Sequence, residues 1–176
     1  MIFRSTPIPG AFVVDIEPRA DDRGMFARTM CRDEFAKAGL PSDFVQMNIS
    51  VNRRRNTLRG MHYQAEPHPE GKLVRCTRGA IFDAFVDLRP NSPTLGRWFG
   101  TELTQDNSRA LYVPCGCAHG FQTLVDDSDV LYAMSESYHP DLARGVRWND
   151  PAFAIRWPLS DPLMSERDAS YPDFRV

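Results

Sequence analysis

Short runs in which apolar and polar residues alternate cover most of this chain, and turn-forming residues separate them. In one such run Val45, Met47, Ile49 and Val51 alternate with polar residues. A period of two places the two sets on opposite faces of a β-strand. Similar runs lie at residues 13–17, 72–77, 81–88, 97–103, 111–113, 120–125 and 130–135. Many short strands with little helix predict an all-β sandwich or barrel.

Helix is expected mainly at residues 33–38, where Gly39 and Pro41 follow as a stop signal. The 176 residues contain no internal repeat, low-complexity segment or linker. A chain of this length can bury a core as one unit. We therefore expect a single domain over residues 1–176.

Composition excludes several classes of partner. The net charge of -2 provides no basic field for nucleic acid or an anionic membrane. No apolar stretch is long enough to span a bilayer, and the opening MIFRSTPIPG lacks the features of a signal peptide. The four cysteines lack the spacing of a zinc ribbon or a CxxC pair, which favours reduced thiols. We expect a cytoplasmic protein.

The segment Leu58-Arg59-Gly60-Met61-His62-Tyr63-Gln64 concentrates reactive side chains where a strand is expected. In a regular strand Arg59 and His62 would face opposite sides, because an odd number of residues separates them. A β-bulge at Gly60 would bring both to one side. His62 is therefore a candidate site residue, with a structural histidine as the alternative.

A second candidate is His119, which follows the tight turn Pro114-Cys115-Gly116-Cys117. Cys115, Cys117 and His119 alternate and could offer three ligands to zinc, but a fourth ligand is missing. With two candidate histidines, His62 and His119, and no clear carboxylate, a catalytic metal is poorly supported. We expect no catalytic metal and no cofactor.

The polar residues of the run at 45–52 allow two interpretations. Gln46, Asn48 and Ser50 could cover the solvent face of an antiparallel sheet. They could instead point into a barrel that holds a small ligand. Alternation alone leaves both open.

Several motifs occur together in an order that resembles the dTDP-4-dehydrorhamnose 3,5-epimerase family, over nearly the whole chain. They are Arg59-Gly60-Met61-His62-Tyr63-Gln64, Gly71-Lys72-Leu73-Val74-Arg75, Val86-Asp87-Leu88-Arg89, Ser92-Pro93-Thr94, Ala118-His119-Gly120-Phe121 and Arg144-Gly145-Val146-Arg147-Trp148-Asn149-Asp150-Pro151. The resemblance implies a cupin-type jelly-roll β-barrel with a few short helices. It also implies a metal-free epimerase, usually a homodimer, that inverts C3 and C5 of a nucleotide-linked 4-keto-6-deoxyhexose.

The same resemblance implies catalytic roles for four residues. His62 corresponds to the base, and Asp168 to the carboxylate that orients it. Tyr132 corresponds to the proton donor on the opposite face of the sugar. Lys72 corresponds to the cation beside the developing enolate oxygen, a contact of the kind worth about 2.7–4 kcal/mol in other enzymes.

Substrate-binding residues are implied in the same way. Arg23 and Arg59 correspond to residues that hold the pyrophosphate, a task suited to forked guanidinium donors. The remaining positions correspond to residues around the nucleotide and sugar: Phe26, Gln46, Asn48, His119 and Tyr138. The N-terminal region, which carries Arg23 and Phe26, is expected to complete the site of the partner subunit.

Three positions depart from the family pattern, and all three align with the nucleotide end of the site. Arg28 stands where the family has a glutamate, Arg19 replaces an aromatic residue, and Ala143 replaces another glutamate. We hypothesise that the nucleotide or sugar differs from the thymidine-linked rhamnose precursor. The alternatives are an enzyme that inverts only C3 or C5 or shifts the keto group, and a non-catalytic barrel that binds a sugar nucleotide.

Overall fold

The structure, a computed structural model, describes residues 1–175 and consists mainly of short strands. The strands are β1 (Ile2–Ser5), β2 (Phe12–Asp15), β3 (Arg19–Asp21), β4 (Gly24–Phe26), β5 (Gln46–Asn52), β6 (Leu58–Gln64), β7 (Lys72–Arg78), β8 (Ala80–Asp87), β9 (Trp98–Thr104), β10 (Ala110–Val113), β11 (Cys117–Thr123), β12 (Ser128–Met134) and β13 (Ala143–Gly145). The helices are α1 (Arg32–Lys37), a 3₁₀ turn (Pro140–Leu142) and α2 (Glu166–Ala169). None of the helices in residues 1–175 has the length and apolar character needed to cross a bilayer.

Two antiparallel sheets form the body of the molecule. The six-stranded sheet has the order β1-β2-β10-β7-β12-β5, and the five-stranded sheet has the order β13-β6-β11-β8-β9. β3 and β4 form a separate hairpin. The predicted all-β, cupin-type jelly-roll fold is confirmed. Among the strands of residues 1–175 no pairing joins the two large sheets, so they form a sandwich rather than a closed barrel.

The main core lies between the two sheets. Val74 and Leu111 enter it from the six-stranded sheet, and Phe85, Leu103 and Phe121 enter it from the five-stranded sheet. Each of these side chains is almost completely buried. Alternation along each strand sends every second residue into this layer, as the sequence pattern predicts.

The outer face of each sheet is also largely covered. Phe35 of α1 packs with Val14, Leu73 and Tyr112 on the six-stranded sheet. Phe153 and Ile155, from the segment after β13, belong to the apolar cluster on the five-stranded sheet. Both sheets are therefore held between two apolar layers over much of their area.

Strand β5 is the exception, because its outward face is apolar and exposed. Val45, just before β5, and Met47, Ile49 and Val51 within it are each 57–64% exposed. We call these four residues the β5 apolar row. Within the described chain β5 pairs only with β12, so it is also an edge strand. An exposed apolar row on a free sheet edge is typical of a surface that another chain covers.

On the six-stranded sheet, the residues that face the other sheet change from apolar to polar along each strand. On β7, Cys76 and Val74 lie in the core, whereas Lys72 lies in an open cavity. On β12, Val130 lies in the core and Tyr132 lines the same cavity. The two sheets thus enclose a hydrocarbon core at one end and a polar cavity at the other.

Candidate active site

A cavity of about 320 Å³ opens between the polar ends of the two sheets. Side chains from β5, β6, β7, β11, β12, β13 and α2 line it, together with two loop residues, Glu70 and Tyr138. The lining residues are Gln46, Asn48, Ile49, Ser50, Arg59, His62, Tyr63, Gln64, Glu70, Lys72, His119, Tyr132, Met134, Tyr138, Ala143, Arg144 and Arg167. Eight of the residues proposed from the sequence are among them.

A β-bulge in β6 presents Arg59 and His62 to this one cavity. His62 pairs with His119 of β11, but Arg59 pairs with Phe121, so three steps on β6 match two on β11. The bulge predicted at Gly60 is confirmed. Gly60 has φ +145°, and a Cβ there would lie 2.6 Å from the Cα of Gly120. Only glycine suits this close approach of the two strands.

His62 and Asp168 form a hydrogen-bonded pair at the cavity wall. The distance from Nε2 of His62 to Oδ1 of Asp168 is 2.8 Å, and the side chain of His62 is 42% exposed whereas that of Asp168 is 8% exposed. The other carboxylate oxygen accepts the backbone N–H of Gly60 at 3.2 Å. Asp168 lies in α2, where Ser165 caps the helix by accepting the backbone N–H of Asp168. Helix α2 therefore fixes the carboxylate behind the imidazole.

The protonation state of this pair follows from its contacts. Burial alone would raise the pKa of Asp168, but hydrogen bonds from His62 and Gly60, together with the nearby imidazole, bring it below its ordinary value. At neutral pH the carboxylate is thus ionised and can only accept a hydrogen bond. Nε2 of His62 must then carry a hydrogen, which leaves Nδ1 as the basic nitrogen.

Tyr132 lies on the opposite sheet from His62 and lines the same cavity. Burial raises the pKa of Tyr132 well above its ordinary value, and the Asp83 carboxylate adds to this effect. The phenol therefore keeps its proton at neutral pH. The ring of His119 packs edge-on against Tyr132 with a centroid distance of 6.0 Å, and Nε2 of His119 lies 2.8 Å from Oδ1 of buried Asp83.

Lys72 is a cation of the cavity lining that contacts the backbone of His62. Its Nζ lies 2.5 Å from Oε1 of Glu70 and 3.5 Å from the carbonyl oxygen of His62. Both side chains of the Lys72–Glu70 pair are largely buried. The carboxylate partner compensates the lysine charge, because an isolated buried ammonium is costly.

The polar residues of β5 face the cavity rather than bulk solvent on the outside of the sheet. Gln46, Asn48 and Ser50 all line it, and the amide of Gln46 donates to Asn48 at 3.2 Å. Arg59 is held by Asn52, whose side-chain oxygen accepts its Nε–H at 2.8 Å. Of the two interpretations of this row, the structure supports the inward one.

Arg23 and Phe26 do not reach this cavity in their own chain. They lie on the β3–β4 hairpin, where Phe26 is 77% exposed and Arg23 pairs with Asp21 at 2.7 Å. Of the positions that depart from the family pattern, Arg28 pairs with Glu34 at 2.6 Å and Ala143 lines the cavity. Arg19 lies on the hairpin beside Phe26.

Sequence reasoning missed three charged residues of the cavity. Arg167 lies next to Asp168 and Arg144 lies within a family motif, but no sequence pattern assigns either residue to the cavity. Glu70 lies two residues before Lys72, a spacing that places both on one face of an extended chain. That spacing was the available signal for Glu70. The possible zinc group at Cys115, Cys117 and His119 is not assembled, since His119 binds Asp83 instead.

Together, the fold and the cavity define the class of protein, which is a cupin-type jelly-roll enzyme. A histidine–carboxylate pair lies on one wall of the cavity and a protonated tyrosine lies on the opposite wall. This arrangement is suited to proton transfer. More closely, the chain belongs to the dTDP-4-dehydrorhamnose 3,5-epimerase family, whose sequence model matches residues 5–175. It is therefore an isomerase by family.

Known relatives match the chain over nearly its full length. A dTDP-4-dehydrorhamnose 3,5-epimerase from Sinorhizobium fredii is 44% identical over 175 residues, which cover 98% of this chain and 89% of the relative. A dTDP-4-dehydrorhamnose 3-epimerase from Streptomyces niveus is 42% identical, with 96% and 81% covered. The crystal structure of a Legionella pneumophila 3,5-epimerase in complex with dTDP-4-keto-L-rhamnose is 34% identical, with 98% and 92% covered and a TM-score of 0.92.

Proposed function

We propose that this enzyme inverts C3 and C5 of a dTDP-linked 4-keto-6-deoxyhexose, converting dTDP-4-dehydro-6-deoxyglucose to dTDP-4-dehydrorhamnose. One observation carries the proposal: His62, backed by Asp168, and Tyr132 line one cavity from opposite sheets. Inversion at carbon needs a base on one side of the ring and an acid on the other. The two walls supply these groups.

The first step is removal of a proton next to the ketone. The carbonyl at C4 acidifies the hydrogens on C3 and C5, because the resulting negative charge delocalises onto oxygen. Nδ1 of His62 takes the proton, and the ionised Asp168 stabilises the imidazolium and holds its orientation. A base of this kind contributes about 10²–10⁴-fold to the rate.

Lys72 stabilises the enolate oxygen that forms in this step. Its ammonium is positioned before reaction and lies in a largely buried setting, where electrostatic contacts are stronger than in water. The charge on Glu70 balances that of Lys72, and the enolate takes over part of this role when it forms. The lysine thus acts on the transition state rather than on the neutral ketone.

Tyr132 completes the inversion by returning a proton from the opposite wall. Its raised pKa keeps the phenol protonated until a strongly basic enolate carbon is present. His119 and Tyr138 lie around the sugar end of the cavity, and Gln46, Asn48 and Arg59 provide polar groups for the nucleotide diphosphate. Arg59 is the guanidinium suited to the pyrophosphate.

We also propose that the enzyme is a homodimer in which the β3–β4 hairpin of one subunit reaches the site of the other. The β5 apolar row is an exposed edge face next to the cavity, and a second copy would bury it. Arg23 and Phe26 are highly exposed and lie outside their own cavity. A contact with a second subunit would account for both the exposed apolar row and the position of Arg23 and Phe26.

A cytoplasmic location is proposed from the cysteines. Within the described structure no disulfide is formed by any of the four cysteines, which are Cys31, Cys76, Cys115 and Cys117. Reduced thiols of this kind are the usual state in the cytosol. Fractionation of cells that express the protein, followed by immunoblotting, tests this location.

A single-centre epimerase is the second candidate, because one similar protein bears that activity. The Streptomyces niveus relative is named a 3-epimerase and is 42% identical to this chain, close to the 44% of a 3,5-epimerase relative. Overall sequence identity therefore does not separate the two reactions. The positions at which the sugar takes up deuterium from the solvent separate them.

Deuterium exchange tests the proposal directly. The enzyme is incubated with dTDP-4-keto-6-deoxyglucose in deuterated water, and label at C3 and C5 is followed by NMR. We expect label and inversion at both carbons. Label at one carbon alone would support the single-centre candidate, and no label despite binding would exclude epimerisation.

His62→Ala is the matched variant for this assay. We expect exchange to fall by about 10²–10⁴-fold, the contribution of a general base. Nucleotide affinity should change little, because His62 belongs to the sugar end. Competition by free dTDP, CDP, GDP and UDP in the wild-type assay checks the nucleotide, and a preference for any but dTDP would support the hypothesis of altered specificity drawn from Arg19, Arg28 and Ala143.

A further inference from the structure

Two histidines and a glutamate that epimerisation does not use lie together near the mouth of the cavity. His68 belongs to the loop after β6, and Glu136 and His139 belong to the loop after β12. One ligand atom from each residue can be chosen so that all three lie within 4.8 Å of one another. None of the three lines the cavity that contains His62.

A single buried glutamine holds the two loops in this arrangement. The side-chain amide of Gln64 donates to the carbonyl oxygens of His68 at 2.6 Å and Ser137 at 3.0 Å. Its side-chain oxygen accepts the backbone N–H of His139 at 2.8 Å. The backbone that carries the three side chains is therefore fixed by a residue of a central strand. Such support is what a preorganised ligand group requires.

The side chains are also oriented toward one another. Oε1 of Glu136 accepts the backbone N–H of Ser137 at 2.8 Å, and Oε2 lies 3.7 Å from Nδ1 of His68. The rings of His68 and His139 are stacked with a centroid distance of 4.3 Å.

We propose that His68, Glu136 and His139 bind a divalent transition metal of the zinc type, with water in the remaining position. Two imidazoles and one carboxylate suit zinc, whereas Mg²⁺ and Ca²⁺ prefer sites made of oxygen ligands. Zinc–ligand bonds of about 2.0–2.2 Å in a tetrahedral site place ligand atoms about 3.3 Å apart. Rotation of these partly exposed side chains closes the difference without movement of the clamped backbone.

The metal would fix a segment that reaches the substrate cavity. Tyr138 lies between Glu136 and His139 in the chain, lines the cavity and is 53% exposed. One ligand on each side of Tyr138 would hold its backbone in place. The metal site would lie apart from the residues proposed for proton transfer.

Zinc binding to the full-length protein, with any histidine tag removed, tests the proposal. Zn²⁺ is titrated in competition with a chromophoric chelator, and Co²⁺ absorption reports the coordination geometry. We expect one equivalent per chain and a higher melting temperature with zinc. His68→Ala and Glu136→Gln should each weaken binding by at least about tenfold, since loss of even an outer-shell partner typically costs 10–100-fold.

Glu66→Gln is the matched control, because Glu66 lies in the same loop as His68 but outside the cluster. His62→Ala serves as a second control for histidine loss. Both should bind zinc as the wild type does. Absence of stoichiometric binding, or binding unchanged in His68→Ala and Glu136→Gln, would overturn the proposal. The measurement needs no substrate, so its outcome is independent of the epimerase assay.

Discussion

His62 and His119 face each other as cross-strand partners, yet their surroundings give them different properties. His62 is partly exposed, and its carboxylate partner Asp168 has a lowered pKa. His119 is buried against Asp83, whose pKa burial raises. The first pair is open to substrate and has an ionised carboxylate, as a base requires. The second pair is enclosed and packs against Tyr132, which suits a positioning role.

Tyr132→Phe separates the two halves of the proposed inversion. His62 can still remove a proton and return deuterium to the face from which the proton left. We expect exchange without inversion, with epimer formation reduced by about 10²–10⁴-fold. Deuterium NMR together with separation of the epimers measures both quantities.

Tyr112→Phe is the control for this change, because Tyr112 is a buried tyrosine on the outer face of the same sheet. It should epimerise at the wild-type rate. Normal inversion by the Tyr132 variant would show that another group supplies the proton. Loss of exchange as well as inversion would place Tyr132 in the first step instead.

The site was predictable from sequence where a motif carries the chemistry. His62, Lys72, His119 and Tyr132 line the cavity as the family resemblance implied. Alternation alone would have separated Arg59 from His62, and only the bulge at Gly60 brings them together. Arg167 was missed because its role depends on α2 folding back over β6, a long-range contact that no local pattern encodes.

Among the structural elements, the end of β8 carries a carboxylate that accepts several hydrogen bonds from the turn that follows. Asp87 is completely buried and accepts hydrogen bonds from Arg89, Ser92 and Thr94. Burial would raise the pKa of Asp87, but these donors lower it to about 2. The motif Asp87-Leu88-Arg89 thus has a structural explanation: it ends β8 and fixes the turn before β9.

Asp87→Asn should destabilise the fold at neutral pH by about 2–4 kcal/mol, since charged hydrogen bonds are lost in a buried setting. Because the folded pKa lies below the unfolded value of about 3.9, the stabilisation is present above pH 4 and is lost as pH falls toward 2. The free energy of unfolding of the variant should therefore differ less from that of the wild type at pH 3 than at pH 7. Urea unfolding at both pH values measures this.

If the free energy of unfolding of the variant differs from that of the wild type by the same amount at both pH values, the charge of Asp87 contributes nothing to stability. Asp106→Asn provides a control, since Asp106 is an exposed residue in the turn after β9. Its stability should match wild type at both pH values.

Strands with clear alternation were predicted within a few residues, and helix α1 was predicted within one residue of its observed ends. Strands β1, β3, β4 and β13 were missed. Each has only three or four residues, too few to establish a period of two, and most of them are exposed. Their pairing depends on partners distant in the chain or on a tight hairpin, rather than on their own pattern.

At the level of the whole molecule, β5 is a sheet edge whose outer face is uncovered in the described chain. The β5 apolar row provides four exposed side chains on that edge. Burying each large apolar side chain is worth about 1.5–3 kcal/mol, so the row can stabilise association of two copies. The same strand carries Gln46 and Asn48 on its inner face, so the proposed subunit contact would lie directly behind the residues proposed to bind the nucleotide.

Met47→Lys and Val51→Lys test this association. We expect either variant to raise the dimer dissociation constant by at least about tenfold, because each charge must be desolvated in both subunits. Light scattering over a range of concentrations measures it. Activity should fall with dimer content if the β3–β4 hairpin serves the partner.

Val125→Lys is the control, because Val125 is an exposed apolar residue that lies in the turn before β12, outside the row. It should remain dimeric. A wild-type protein that is monomeric at all concentrations, or lysine variants that remain dimeric, would refute the proposed contact.

The gradation of the inward rows on β7 and β12, from hydrocarbon to polar groups, ties catalysis to folding stability. Val74 and Val130 each lie two residues from a proposed catalytic side chain, Lys72 or Tyr132, on the same face of the same strand. A substitution that repacks this apolar layer is therefore expected to shift the ammonium of Lys72 or the phenol of Tyr132. Such a substitution should change turnover and melting temperature together.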